Sequence, residues 1–436
     1  MVRFALPAAI IGAAALLIAA GAPAQDAPAK PGVDAPELAA LGKYPVGVAD
    51  MEFVQPGQAD PLKGQDAPLV GDRHVPLKIW YPAARAGKGT MYRTGLPGEK
   101  GKDVPFTVLG IATPGTKAAA GKFPLVILAH GYSNTPEVLS WLGENLASKG
   151  YVVVAPTFRD PPITIRTAAA AAGPIARRPL DIAFVTAEAQ RRAKDGQGVF
   201  AAADADRTAL IGYSMGGYGV LAAAGAPLDP ALAGATRGVL APYVAGGAKA
   251  DSIKAANLKA VVAIAPASNM RGTPMFAAPG VAAIRTPTLF IVGSQDKSVG
   301  YDPGVRALWT QEVHAARYLL TFREAGHSIA LIGAPAALRR SFFDLDWFED
   351  SVWRKDRLIA VQTHFITAFL DRYVKGDTAK AAYIDGLVPN ANDGTWPGLS
   401  PGRHAEYSPG APVATLWKGF QPNKASGMSF EFKAAE

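Results

Sequence analysis

Thr208-Ala-Leu-Ile-Gly-Tyr-Ser214-Met-Gly-Gly-Tyr-Gly-Val-Leu-Ala-Ala-Ala224 passes from an apolar run, through a glycine-flanked serine, into a run of small residues. The pattern reads as strand, sharp turn, helix. A serine held on such a turn has its hydroxyl pushed into a cleft above a sheet. Glycines at 212 and 216 are needed because strand and helix backbones crowd there. The pentapeptide Gly-x-Ser-x-Gly is short, so the rest of the chain must supply a base, an acid and an oxyanion hole.

The surrounding chain alternates strand and helix. Phe123–Ala129 is a fully apolar run, as expected of a central parallel strand buried on both faces. Residues 151–155, 208–213, 259–265, 288–292 and 318–322 read as further buried strands, after two early strands at 44–54 and 75–81. Helices are expected over 135–148 with Thr135 as cap, over 179–193, and from about Arg354 to Val374. The fold class is therefore α/β, with a mostly parallel central sheet and helices on both faces.

The pattern places the α/β domain at 43–374, with cap insertions near 227–257 and 337–353. Residues 83–122 read as an insertion too polar and broken to be core. Phe342, Phe343, Trp347, Phe348 and Trp353 form an irregular aromatic segment, expected more to pack a lid onto the body than to touch substrate. Residues 375–436 read as a C-terminal extension ending in an edge strand at 428–432.

A serine hydroxyl needs a base, usually a histidine oriented by a carboxylate. Asp296, in Gly293-Ser-Gln-Asp296 after a buried strand, fits the acid, with Asp302 as runner-up. His327, in Glu324-Ala-Gly-His327-Ser, fits the base and completes the order Ser, Asp, His. The other five histidines fit less well. His74 comes too early, His314 and His364 lie in helical patterns, His404 is in the tail, and His130 is expected to brace its loop. The oxyanion hole is expected from the backbone N–H groups of Met215 and Tyr132. Tyr132 and Tyr213 are the expected substrate contacts.

Composition bounds the rest. The chain has 436 residues and no cysteine, which excludes disulfides, thiolate metal sites and a cysteine nucleophile. A net charge of +8 without a dense basic block reads as a solvated surface, not a nucleic-acid site. No motif calls for a metal or other cofactor. Met1-Val-Arg3, the apolar run Phe4–Ala20 and Ala22-Pro-Ala24 read as a signal peptide over 1–24. The alternative is a transmembrane anchor, but no basic flank follows the run. Residues 25–42 then form a flexible lead-in, and the mature protein is expected in the periplasm or outside the cell, without stable membrane insertion.

Five motifs together resemble a known group. They are Ile79-Trp-Tyr-Pro82, Pro124-Leu-Val-Ile-Leu-Ala-His-Gly131, Arg178-Pro-Leu-Asp-Ile182, Asp206-Arg207 and Gly212-Tyr-Ser-Met-Gly-Gly217. In that order they are similar to α/β-hydrolases of the platelet-activating-factor acetylhydrolase and bacterial dienelactone-hydrolase-like type, over about 75–374. Cutinase-type polyester hydrolases look like more distant relatives. The resemblance implies hydrolysis of a small or polymeric carboxylic ester through an acyl-enzyme. Dienelactone hydrolases proper use a cysteine nucleophile, which this chain lacks. A serine peptidase or acyltransferase on the same scaffold is the second reading, and a non-catalytic secreted binding protein the third.

Overall fold

The computed structural model describes residues 32–270, 272–393, 417–421 and 424–436. The expected signal peptide over 1–24 and His404 lie outside the described residues.

Strands β1 (Val46–Asp60) and β2 (Leu69–Pro82) form a long antiparallel hairpin. A second hairpin pairs β3 (Met91–Pro97) with β4 (Asp103–Leu109), and β5 (Thr113–Pro114) lies along β1. Then come β6 (Phe123–Ala129), β7 (Val152–Pro156), β8 (Ala203–Tyr213) and β9 (Leu258–Ile264). A short ladder of β10 (Asn269–Met270) and β11 (Thr273–Pro274) precedes β12 (Thr288–Gly293), β13 (Arg317–Phe322) and β14 (Met428–Lys433). The main sheet has ten strands in the order β14-β13-β12-β9-β8-β6-β7-β2-β1-β5. From β13 to β7 all pairings are parallel, as expected. After β6 the chain moves to one side to make β7, then returns to the other side to make β8. The loops leaving β6 and β8 therefore part at their carboxyl ends, where a parallel sheet offers its crevice.

The α-helices among the described residues are α1 (Ser140–Ser148), α2 (Ala168–Lys194), α3 (Met215–Ala223), α4 (Ala231–Ala235), α5 (Ala307–Gln311), α6 (Phe342–Phe348) and α7 (Lys355–Tyr373). Because side chains alternate along a strand, β6 feeds two cores at once. Val126 and Leu128 join Leu142 and Leu146 of α1 and Phe365 and Phe369 of α7 on one face. Leu125, Ile127 and Ala129 join Ile182 of α2, Leu221 of α3 and Leu308 of α5 on the other.

Several expectations are corrected. Helix α2 starts eleven residues earlier than 179, capped by Thr167, whose Oγ1 accepts from the Ala170 N–H at 3.1 Å. Burial of Ala171, Ala172, Ile175, Ala176 and Ile182 carries the helix through Pro174 and Pro179. Thr135 does not cap: the segment opens with a 3₁₀ turn at Pro136–Leu139, and the Thr135 hydroxyl pairs with that of Thr94 at 2.9 Å. The 83–122 insertion is not outside the core. Tyr92, Leu96, Phe106 and Ala112 are buried in the α1/α7 core. The Tyr92 hydroxyl donates to Glu144 at 2.6 Å and accepts from Trp80 Nε1 at 2.8 Å. The irregular aromatic segment holds helix α6, with Ser341 accepting from the Asp344 N–H at 3.1 Å. The edge strand expected at the end of the tail is β14, which pairs antiparallel with β13 at one rim of the main sheet. The lead-in drawn as flexible is seated from Gly32 onward: the Leu38 N–H donates to His364 Nδ1 at 3.2 Å and the Glu37 N–H to the Gly419 carbonyl at 2.8 Å.

Candidate active site

Strand β8 ends at Tyr213 and α3 begins at Met215, leaving Ser214 alone on the turn with φ 54° and ψ −115°. A side chain rarely adopts that backbone, so the flanks must yield space. A Cβ on Gly212 would lie 2.2 Å from the Gly216 carbonyl oxygen, and one on Gly216 would lie 2.2 Å from that of Ala129. The Ser214 N–H is tied to Ile264 of β9 at 2.8 Å, and its carbonyl accepts from Tyr218 and Ala267, each at 3.1 Å. The turn is thus tied to β9 and the loop after it while Ser214 itself stays half-buried.

The structure brings together the three residues expected from chain order. His327 Nε2 lies 3.1 Å from Ser214 Oγ, and His327 Nδ1 lies 2.7 Å from Asp296 Oδ2. Asp296 is 2% exposed. Burial alone would raise its pKa, but the bond and charge of His327 and the N–H groups of Val299 and Ser298 outweigh it and hold the carboxyl below its ordinary value. Those N–H groups reach Asp296 Oδ1 at 3.1 and 2.9 Å, leaving Oδ2 for the imidazole. Asp302 is exposed, inside the wide turn Tyr301–Arg306 that leads into α5. For Nε2 to accept from a hydroxyl, Nδ1 must carry the proton and donate it to Asp296. That arrangement can take a proton from Ser214 and stabilise the imidazolium that results.

Tyr213 is placed differently from expectation. Its ring is 3% exposed and stacks on that of His327, with centroids 5.2 Å apart and planes at 28°. Its hydroxyl donates to the His327 carbonyl at 3.0 Å. It therefore supports the histidine, and the substrate contact expected of it is corrected. Tyr132 is half-buried against an apolar cluster that holds Met215, Tyr218, Leu228, Leu240 and Met275. Much of that cluster comes from the 227–257 segment, which so packs over the start of α3.

The loop carrying Tyr132 is fixed by a buried ion pair that sequence reasoning missed. Arg178 and Asp160 are both fully buried and bond twice, at 2.9 and 2.6 Å. Arg178 Nη2 also donates to the Gly131 carbonyl at 2.9 Å, and Asp160 accepts from the Ser133 N–H at 2.9 Å. Burial opposes the Asp160 charge, but the Arg178 guanidinium prevails and keeps its pKa below the ordinary value. His130 completes the brace: Nδ1 donates to the Gly131 carbonyl at 2.7 Å and Nε2 accepts from the Phe158 N–H at 3.2 Å. Burial and the Arg178 charge push its pKa down to about 3, so the ring is neutral. The signal available in the sequence was the pair Arg177-Arg178 in the mostly small and apolar run of 168–182, with Asp160 beside two prolines.

The other histidines lie elsewhere. His74 pairs with Glu52 on the β1/β2 hairpin, His314 sits 2.7 Å from the Ala282 carbonyl, and His364 is buried under the 32–42 segment. Among the described residues, no group of His, Asp and Glu is arranged to hold a metal ion, and no helix is long and apolar enough to cross a membrane.

A protein-family model described as "PETase: PET hydrolase-like" matches residues 110–242, which hold the loop after β6, the Arg178–Asp160 pair and Ser214. No curated protein matches. Among solved structures, the ferulic acid esterase from Streptomyces cinnamoneus aligns with a TM-score of 0.51 at 19% identity, covering 78% of this chain and 94% of that one. At that identity the likeness is one of fold.

Proposed function

We propose that this chain, which has the α/β-hydrolase fold, is a carboxylic ester hydrolase that works through Ser214, His327 and Asp296 and an acyl-enzyme. The observation that carries the reading is the continuous hydrogen-bonded line from Asp296 Oδ2 through His327 to Ser214 Oγ, at 2.7 and 3.1 Å. The PET hydrolase-like match over the segment that holds the serine supports an ester as the substrate.

In this reading His327 Nε2 takes the Ser214 proton as Oγ attacks the ester carbonyl. The tetrahedral oxygen is held by the Met215 and Tyr132 N–H groups. Met215 is the first residue of α3, so its N–H belongs to the turn that lacks intrahelical partners. Each such donor is worth about 3 kcal/mol of barrier. The protonated His327 then gives its proton to the leaving alcohol, and Asp296 balances the charge meanwhile. Water, deprotonated by His327, releases the acid and frees Ser214. The signal-peptide pattern of 1–24 supports export as the setting of this activity.

The test is Ser214→Ala, assayed on short p-nitrophenyl esters with a thermal unfolding scan beside it. Turnover should vanish while the unfolding transition persists, and an organophosphonate should label the parent once, at Ser214. A folded Ser214→Ala protein that retains turnover overturns the reading. Parallel assays on amide and acyl-acceptor substrates separate hydrolysis of esters from peptidase and acyltransferase activity.

A further inference from the structure

His327 sits on a loop, and the bonds holding that loop come largely from one segment that the proposed chemistry does not use. On the N-terminal side, the Gly326 N–H donates to Asp350 Oδ2 at 2.7 Å. On the C-terminal side, the Ser328 carbonyl accepts from Lys355 Nζ at 2.5 Å. The Ser328 hydroxyl donates to the Asp346 carbonyl at 3.0 Å, and the Ala334 N–H donates to Glu349 at 2.7 Å. Asp350 is itself anchored, with its other oxygen accepting from Val352 and Trp353 at 3.0 and 2.8 Å. Lys355 opens α7, so a long helix packed in the core lies behind the contact.

We infer that Lys355 is a positioning residue for His327: its ammonium, held by α7, fixes the peptide that follows the imidazole and so sets the distance from Nε2 to Ser214 Oγ. The inference rests on the proposed role of His327. Lys355 touches neither the serine nor a substrate position, and its effect passes through the Ser328 carbonyl.

The charge on Lys355 matters because a charged donor bonds about twice as strongly as a neutral one. Burial lowers its pKa to about 8, against the opposing pull of Glu349 and Asp350. The other charged groups around it share the cavity of about 470 Å³ that it lines: Arg339 behind Glu349, Asp356 beside it on α7, and Glu144 across on α1. Raising the pH through about 8 therefore removes the proton and weakens the clamp.

The experiment compares the parent with Lys355→Met and Lys355→Arg, with a thermal scan to confirm folding. Lys355→Met should lower kcat by about 10- to 100-fold with little change in KM, as expected when a catalytic group is displaced by a fraction of an ångström. Organophosphonate labelling of Ser214 should slow in step. The parent should lose kcat above about pH 8, and Lys355→Arg, whose charge persists there, should keep more of its rate in that range. A folded Lys355→Met enzyme with the parent's kcat overturns the inference. So does a parent profile flat in kcat from pH 7 to 10, a measurement that needs no variant to fold. A parent that takes no label at Ser214 overturns the catalytic reading instead, so the two failures are distinguishable.

Discussion

Tyr213 and His327 are joined twice, by a ring stack with centroids 5.2 Å apart and by a hydrogen bond of 3.0 Å from the phenol to the His327 carbonyl. The residue before the proposed nucleophile thus holds the proposed base, so strand β8 sets both ends of the proton transfer. Tyr213→Phe keeps the stack and loses the bond. A neutral hydrogen bond contributes about 1 kcal/mol, which corresponds to a drop in kcat of about fivefold. Steady-state kinetics decide the matter: a raised KM with kcat intact would instead make Tyr213 a substrate contact.

The Arg178–Asp160 pair is a stability determinant as well as a brace for the loop of Tyr132. Removing one partner of a fully buried pair costs about 3–5 kcal/mol, because the other charge stays uncompensated. Asp160→Asn should therefore unfold at markedly lower denaturant and also slow acylation, since the Ser133 N–H loses a charged acceptor. The carboxyl's pKa is lower in the fold than in the open chain, so its contribution is present above the ordinary carboxylate value and is lost as pH falls through the depressed one. Denaturant curves at neutral and acidic pH check both claims. Equal midpoints for Asp160→Asn and the parent at neutral pH would refute them.

Two neutral buried imidazoles make the fold sensitive to acid. Burial and the nearby Lys149 charge push the pKa of His364 down to about 3, and His130 is pushed down as far. An unfolded chain takes up these protons near the ordinary value of 6.5. Between about 6.5 and about 3 the unfolded state therefore binds more protons, and stability falls as pH falls. His364→Gln should remove one proton's share of the acid slope, about 1.4 kcal/mol per pH unit between about 6.5 and about 3. Turnover near neutral pH should be unchanged, since His364 lies under the 32–42 segment. An unaltered slope would refute the assignment.

What could be read from the chain, and what could not, divides along physical lines. The central strands were legible because burial on both faces leaves uninterrupted apolar runs such as Leu125–Ala129. Ser214, Asp296 and His327 were placed by chain order and by their position after strands, and the structure brings them together. The β3/β4 hairpin was not legible. Only one face of it is buried, and Tyr92, Leu96 and Phe106 are diluted by the glycines, lysines and prolines of the other face and the turns. The Arg178–Asp160 pair joins a helix to a loop, a contact without any periodicity to announce it. Tyr213 reads as a substrate contact from its place beside the nucleophile; its direction depends on the loop of His327, over a hundred residues later. Lys355 was invisible as a partner for the same reason.

The backbone at Ser214, at φ 54° and ψ −115°, is one that glycine adopts freely and other residues adopt at a cost of about 1–3 kcal/mol. Ser214→Gly should therefore unfold at a higher temperature than Ser214→Ala, two equally inactive proteins told apart by calorimetry; equal midpoints would show that the turn carries no strain. At this one site, conformational stability and turnover select different residues. On the proposed reading, a lineage that ceased to need the activity would gain robustness by a single change there.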